Sequence, residues 1–354
     1  MIRKKEDLAY VIAIGKEHEY LPVIGQLRAQ VPSSGDYRLL GLFKDKDIVF
    51  YFRKENSWVE AQKLIVDIHD IYKRTPFSQN LLDVLHNSCV VMFGLGSMGS
   101  RIALSLARSG VRNIRLVDPD YVSIENLSRH ESDMFDLFRH KVDAVRERIL
   151  RVNPLAEVDT YPFDIFSRSE ETKEKVYEGV HLAIATTDRM AVQQRINYDC
   201  WRRKIPALFA GCYDEARGGE VLFVLPGKTS VCLECLRGGA GEPERKGEID
   251  YSRARGPEDY EGEPGLSSAI NLISDVAEQY AIALLLRNEK CEMAKLIDPK
   301  NNLLFIGGAI GRGFYYLKGL SCFIKPFEFI TPTLKGPWQE CSTCQSKTEK
   351  NENA

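Results

Sequence analysis

Apolar and polar positions fall into two kinds of block along this chain. Short continuous apolar runs bounded by Gly, Pro, Asn or Asp read as buried strands, and longer stretches with apolar residues three and four apart read as helices. Strands are predicted at Cys89–Phe93, Ile114–Val117, Val158–Tyr161, Val180–Ala185, Pro206–Ala210 and Glu220–Leu225. Helices are predicted at Ser100–Ser109, Lys141–Val152 (Val142, Val145, Ile149 and Val152 on one face), Ser169–Tyr177, Ala191–Trp201 and Ser267–Leu286. The last is apolar over much of its surface and is expected to be a core helix. Strand and helix in alternation predict an α/β fold of Rossmann-like, doubly wound type with a mostly parallel sheet. Leu303–Phe329 adds C-terminal strands with turns.

The periodicity changes at both ends of this region. Residues 1–85 read as a small separate α/β accessory or docking domain. It has a strand at Ala9–Ile14, a helix at Leu21–Gln30, a hairpin from Tyr37–Phe43 to Ile48–Arg53, and a helix at Trp58–Tyr72. Residues 86–345 form the main domain. Within it, 236–265 is Gly-, Pro- and Glu-rich without apolar periodicity, which predicts a mobile and functional loop. The polar tail 346–354 is expected to be disordered.

Bulk properties narrow the function. The chain has 354 residues and a net charge of −2, so no global basic field draws it to nucleic acid or an anionic membrane. No apolar window of about 18 residues suggests a membrane span. The apolar run Leu8–Ile14 is too short for a secretory core and lacks a cleavage site. With no export signal, nine cysteines, an odd number, point to reduced thiols and a cytoplasmic location.

Chemistry concentrates after the first buried strand. Gly94, Gly96 and Gly99 stand in G-x-G-x-x-G order and open a helix, where backbone N–H groups can meet a diphosphate-sized anion. Asp118 ends the next strand and is placed for a ribose hydroxyl pair. A nicotinamide oxidoreductase would show the same two features. The residues beyond Asp118 do not suit it: Asp120, itself a candidate for the nucleotide site, is followed by Asn126, Arg129 and Lys141, donors and cations that a triphosphate needs more than a dinucleotide does. No hydride-site His, Lys or Tyr group is evident. Asp188, at a strand tip, offers a hard oxygen ligand for Mg2+. A second signal is Cys232-x-x-Cys235 with Cys341-x-x-Cys344, whose spacing is that of a structural four-thiolate zinc site; a redox role is the alternative.

The ordered series GLGSMGSRIALSLARSGV, IRLVDPDYVSIENLSR, Lys141 and ATTD resembles the ThiF/MoeB family, which includes the adenylation domains of ubiquitin-activating enzymes. The resemblance spans about 88–344. It implies that Gly94, Gly96, Ser97, Gly99 and Asp118 hold adenosine and ribose of ATP, and that Asn126, Arg129 and Lys141 grip the phosphates. It further implies that Asp188 holds Mg2+, that the four cysteines hold Zn2+, and that the chain forms a homodimer. The reaction implied is attack of a substrate carboxylate on the α-phosphate, giving an acyl-adenylate and pyrophosphate. Arg129, Lys141 and Asp188 are then the catalytic residues. The implied substrate is the C-terminal tail of a ubiquitin-like or sulfur-carrier protein, guided by the loop 236–265, with a conjugating enzyme or sulfur donor as further partner.

Two departures bear on the product. Members that form a thioester carry a cysteine in or near this crossover loop; Leu236–Arg287 holds none. Cys212, at a strand end facing the nucleotide, is the remaining candidate acyl acceptor, while Cys89, Cys200, Cys291 and Cys322 read as packing. The chain can therefore stop at the adenylate, or pass it to an amine or amide as in microcin-type peptide adenylation, where an extra N-terminal peptide-binding domain also occurs. Upstream, Arg74 only approximates the family's R-Y-x-R-Q segment, and the role of an arginine lent to a partner's ATP is not carried over. A non-catalytic ATP-binding scaffold subunit is the remaining reading.

Overall fold

The computed structural model describes residues 68–213, 215–237, 264–308, 313–317, 320–332, 334, 336 and 341–344, with strand segments before residue 68. The chain divides into two compact units, Met1–Thr75 and Pro76–Ala354.

In the first unit, β1 (Ile2–Arg3) pairs antiparallel with β2 (Ala9–Tyr10). A second sheet has the order β3 (Leu27–Arg28), β4 (Leu39–Lys44), β5 (Asp47–Lys54), β6 (Ser57–Glu60). The expected hairpin is present as β4–β5, with Lys44 opposite Asp47. Two expected helices are corrected. Leu27–Arg28, within the predicted helix Leu21–Gln30, is a strand parallel to β4. Trp58–Glu60 of the predicted helix Trp58–Tyr72 is part of a strand on β5; residues 61–67 lie outside the described residues, and Ile68–Tyr72 is a 3-10 turn. In both places ladder pairing to a neighbouring strand outweighs a three-to-four periodicity, and for β6 that neighbour is the β-branched and aromatic run of β5. Residues 11–14 of the expected first strand lie outside the described residues.

The second unit begins ten residues before the expected boundary of 85/86. Its first helix, α1 (Gln79–Asn87), buries Leu82 and Leu85 and leads directly into β7 (Cys89–Phe93). Then follow α2 (Ser97–Ser109), β8 (Asn113–Val117), α3 (Lys141–Val152), β9 (Glu157–Tyr161), α4 (Glu170–Tyr177), β10 (Leu182–Ala185), α5 (Met190–Arg203) and β11 (Ala207–Tyr213). The chain continues through β12 (Gly218–Val224), α6 (Leu233–Arg237), α7 (Ser267–Leu285), β13 (Leu303–Gly307), β14 (Gly313–Leu317), β15 (Leu320–Ile324) and β16 (Phe329–Ile330).

One eight-stranded sheet has the order β16-β13-β12-β11-β10-β7-β8-β9. Strands β11, β10, β7, β8 and β9 are parallel; β12, β13 and β16 add antiparallel. The change of direction has a simple cause. Four residues join β11 to β12, too few for the crossover that a parallel pair requires. Val90, Val91, Met92 and Phe93 of β7 are almost fully buried, as a strand covered on both faces must be. The expected core helix is α7: Ile273, Ala277, Ala281 and Leu284 have no exposed surface. It is tied to α2 by Arg101–Asp275 and Ser109–Glu278. Of the expected loop 236–265, Leu236 and Arg237 end helix α6, and 238–263 lie outside the described residues, as does the tail 345–354.

From β7 the chain winds through β8 and β9 to one side, then returns through β10 to the other. The carboxyl ends of β7 and β10 therefore border a switch point, where open α/β sheets bind ligands. Among the described residues, no helix is long and apolar enough to cross a membrane.

Candidate active site

The three glycines at the end of β7 have three separate reasons to be glycine. Gly94 has φ +86°, and a Cβ there would sit 2.9 Å from the Thr187 backbone nitrogen. At Gly99 a Cβ would come within 2.0 Å of the Gly94 carbonyl oxygen, so this residue lets α2 pack onto the turn. A Cβ on Gly96 would meet nothing within 4 Å. Gly96 thus faces open space at the head of α2, and no side chain caps that helix. Its first-turn N–H groups, with Ser97 foremost, are directed to the place an anion would occupy. Thr186 Oγ1 donates to the Gly94 carbonyl at 2.8 Å and fixes the turn against the end of β10.

Asp118 is buried, and both carboxylate oxygens hold backbone. Oδ2 accepts from Leu95 N–H at 2.6 Å and Oδ1 from Asp120 N–H at 2.8 Å. The residue read from sequence as a ribose ligand is therefore also the anchor of the glycine turn. Burial pushes its pKa up, against the pull of the Lys141 ammonium.

Lys141 opens α3, and its Nζ donates to Asp120 Oδ2 at 2.8 Å. Its side chain is only 10% exposed. Burial alone would drive the ammonium towards neutrality. The carboxylates of Asp118, Asp120 and Asp188 outweigh that and hold its pKa above the usual lysine value. Lys141 is thus a buried cation paired with Asp120 and within the field of Asp118 and Asp188, carboxylates that follow the ends of β8 and β10. Asp188 itself is exposed.

Asn126 and Arg129 lie on a 3-10 helix, Ile124–Ser128, and at its C-terminus. The Asn126 amide oxygen accepts from Ser123 N–H at 3.1 Å, closing a capping box. Arg129 N–H bonds the Asn126 carbonyl at 3.0 Å. Sequence reasoning overlooked the next residue. His130 Nε2 lies 2.6 Å from the Leu95 carbonyl oxygen, and its Nδ1 accepts from Ser132 N–H at 3.0 Å. A backbone N–H can only donate and a carbonyl can only accept, so the proton sits on Nε2. One residue of the glycine turn, Leu95, is held from its N–H by Asp118 and from its C=O by His130. The imidazole thereby fixes the distance from the turn to Arg129. Adjacency to Arg129 was the one signal that could have found it.

Cys212 is half-buried on β11, opposite Gly219 of β12. Cys200 is buried, as expected of a packing cysteine, whereas Cys89 and Cys291 are only half-buried.

The four remaining cysteines converge. Cys232 Sγ lies 3.7 Å from Cys235 Sγ and 3.5 Å from Cys341 Sγ, and Cys235 Sγ lies 3.2 Å from Cys344 Sγ. All four sulfurs fall within 4.8 Å of one another. Around a tetrahedral zinc ion with Zn–S of about 2.3 Å, sulfurs stand about 3.8 Å apart. The surroundings that fix these thiols gave no sequence signal. Glu234, between the first two, accepts from the backbone N–H and hydroxyl groups of both Ser342 and Thr343, between the last two. Asn197 on α5 contacts both segments, through Leu233 N–H and Thr343 Oγ1.

The chain is similar to proteins of known activity. The sulfur carrier protein ThiS adenylyltransferase of Escherichia coli (strain K12) is 31% identical over 170 residues, 47% of this chain and 63% of that protein. The tRNA threonylcarbamoyladenosine dehydratase of Bacillus subtilis (strain 168) is 36% identical over 129 residues, 36% of this chain and 50% of that one. The chain therefore spans between half and two thirds of the length of these relatives. In fold it resembles E. coli MccB, solved with ATP, at a TM-score of 0.54 and 20% identity over 75% of this chain and 69% of that one. The ThiF family model matches residues 72–307, about two thirds of the chain, from just before α1 through β13; the chain belongs to the ThiF family.

Proposed function

We propose that this chain is an ATP-dependent adenylyltransferase that activates the C-terminal carboxylate of a protein or peptide. A substrate carboxylate oxygen attacks the α-phosphorus of ATP, the bond to the β-phosphate oxygen breaks, and acyl-adenylate and pyrophosphate result. The attacking group is already an anion, so no general base is needed, and charge stabilisation and alignment are the main catalytic devices. The observation that carries the reading is the buried Lys141 ammonium paired with Asp120, whose neighbour Asp118 anchors the glycine turn that opens an uncapped helix N-terminus. Gly96 and Ser97 would receive phosphate oxygens, and Asp118 the ribose. Asn126, Arg129 and Lys141 would grip the phosphates. Asp188 would hold a magnesium ion, which supplies further neutralisation of phosphate charge. Cys232, Cys235, Cys341 and Cys344 would hold zinc, a structural ion with no open coordination position.

A ubiquitin-like or sulfur-carrier protein is the substrate class this reading favours, in line with the named substrate of the ThiS adenylyltransferase. A peptide substrate is the alternative, supported by the separate unit Met1–Thr75 and by MccB, a microcin C7 biosynthetic enzyme solved with N-formylated MccA. A tRNA substrate, as the Bacillus subtilis relative's name implies, is disfavoured by the net charge of −2. With no cysteine in Leu236–Arg287, the reaction ends at the adenylate unless Cys212 accepts the acyl group. The reading includes a homodimer in a reducing, cytoplasmic setting. The test is ATP–pyrophosphate exchange with candidate tails. Exchange that requires a tail and disappears in Asp188→Ala supports the reading. ATP bound tightly without exchange for any tail refutes it in favour of a scaffold subunit.

A further inference from the structure

The turn that carries Arg129 is fastened at a second point beyond His130, to helix α2. Glu131 N–H donates to Ser100 Oγ at 3.4 Å, and Ser100 is fully buried. The Glu131 carboxylate lies 3.5 Å from Arg101 Nη1. Ser100 and Arg101 are consecutive residues of α2, one turn after Ser97 opens it. Glu131 is therefore tied to this helix by backbone and by side chain.

Arg101 is itself held from the other side. Its Nε and Nη2 donate to the two carboxylate oxygens of Asp275 on α7, at 2.9 and 3.3 Å. A guanidinium is a rigid planar fork, so a side-on pair through Nε and Nη2 fixes where Nη1 points. Nη1 is the nitrogen that meets Glu131. Asp275, Arg101 and Glu131 thus form a chain from α7, through the helix that faces the anion, to the second residue after Arg129. Folding stability does not account for it. The three side chains are 45%, 30% and 26% exposed, and ion pairs so placed contribute little. Helix α7 is also fastened to α2 elsewhere, by Ser109 and Glu278.

We propose that Arg101 is a positioning residue: through Glu131 it sets the placement of Arg129 against the glycine turn, and so the grip on nucleotide phosphates. This role depends on the ATP site proposed above. His130 fixes the distance of the Arg129 turn from Leu95. One contact still leaves the turn free to swing about it, and Glu131 on Arg101 supplies the second anchor. The signs of the two charges separate position from field. Arg101 is a cation and Glu131 an anion, both near a site for a polyanion. Acting by field alone, loss of Arg101 would weaken ATP binding and loss of Glu131 would strengthen it. Acting by position, either loss weakens it.

The test is equilibrium binding to the full chain, with ATP, pyrophosphate and adenosine each competing against a fluorescent ATP analogue. Arg101→Gln and Glu131→Gln should each weaken ATP and pyrophosphate about 3–10-fold, and change adenosine, which has no phosphate to grip, by about twofold at most. Both should keep the wild-type urea midpoint, and Asp275→Asn should shift ATP in the same direction. The double variant Arg101→Gln/Glu131→Gln should bind no worse than either single one, as two links of one chain do. Unchanged ATP affinity, tighter ATP binding in Glu131→Gln, or losses that multiply in the double variant overturn the proposal. Equal losses for ATP and adenosine overturn it too, in favour of a general loosening of α2. A wild type that binds ATP yet exchanges with no tail refutes adenylation alone, since these affinities are read without a tail. A wild type that binds no ATP refutes the nucleotide site and the role of Arg101 together.

Discussion

His130 should make the second unit sensitive to acid in a way that one substitution removes. Burial pushes its pKa down to about 4 from 6.5, helped by the nearby Lys141 and Arg148 and opposed by its bond to Leu95 and by Asp136. Protonation would also put a hydrogen on Nδ1, facing the Ser132 N–H. Between pH 6.5 and about 4 the unfolded chain binds this proton and the folded chain does not. Stability is therefore complete above pH 6.5 and falls with pH down to about 4. Those two values give a loss of about 2 kcal/mol between pH 7.5 and pH 5, and about 3 kcal/mol in all. His130→Gln can still donate to Leu95 and has no titration, so its urea midpoint should change with pH much less than that of the wild type. His130→Ala leaves the Leu95 carbonyl, in a residue with no exposed surface, without its donor, and should cost about 1–3 kcal/mol even at pH 7.5. The two variants also separate packing from positioning. In pyrophosphate exchange, His130→Ala should raise the KM for ATP several-fold with a smaller change in kcat, and His130→Gln should recover most of it. Parallel pH curves for wild type and His130→Gln would refute the tautomer and burial argued for this residue.

Gly96→Ala, with open space around its Cβ, should keep the wild-type urea midpoint and raise the KM for ATP. Gly99→Ala, with a carbonyl at 2.0 Å, should lower the midpoint, costing about 1–3 kcal/mol or more of stability, or prevent folding. Lys141→Met leaves three carboxylates without their cation and should reduce exchange at least 100-fold; Lys141→Arg should not rescue it, since a guanidinium does not fit a site closed around an ammonium. Purified chain should carry one zinc per chain by elemental analysis. Glu234→Gln, which weakens the acceptor for Ser342 and Thr343 without touching a thiol, should speed zinc loss to a chelator about 10–100-fold.

The readable parts of this protein are those whose signal is local in sequence. Lys141–Val152 has the predicted bounds because its apolar spacing, its start and its Asn153-Pro154 stop lie within one stretch of chain. β7 was legible because a strand buried on both faces is a bare apolar run. The failures were of another kind. Trp58–Glu60 has helical spacing, and only its neighbour β5 makes it a strand. The cysteine pairs were legible as pairs, because two residues separate their members, but Glu234 and Asn197 act across 109 and 146 residues, where no pattern along the chain can show them.

The same distinction applies to the glycine turn after β7. From its sequence it is a loop of glycines waiting for an anion. In the fold its residue Leu95 is gripped at its N–H by Asp118 from the end of β8 and at its C=O by His130 from the turn that carries Arg129, while Thr186 at the end of β10 holds Gly94. The candidate anion site is therefore tied to the elements whose charged groups the proposed function assigns to it, and its geometry cannot shift without moving Arg129 and the Lys141–Asp120 pair. A transition state stabilised mainly by fixed charge requires that property, since donors that must reorganise during the reaction give back part of what they contribute. Glycines supply the close approach; the buried aspartate and the neutral histidine supply the rigidity.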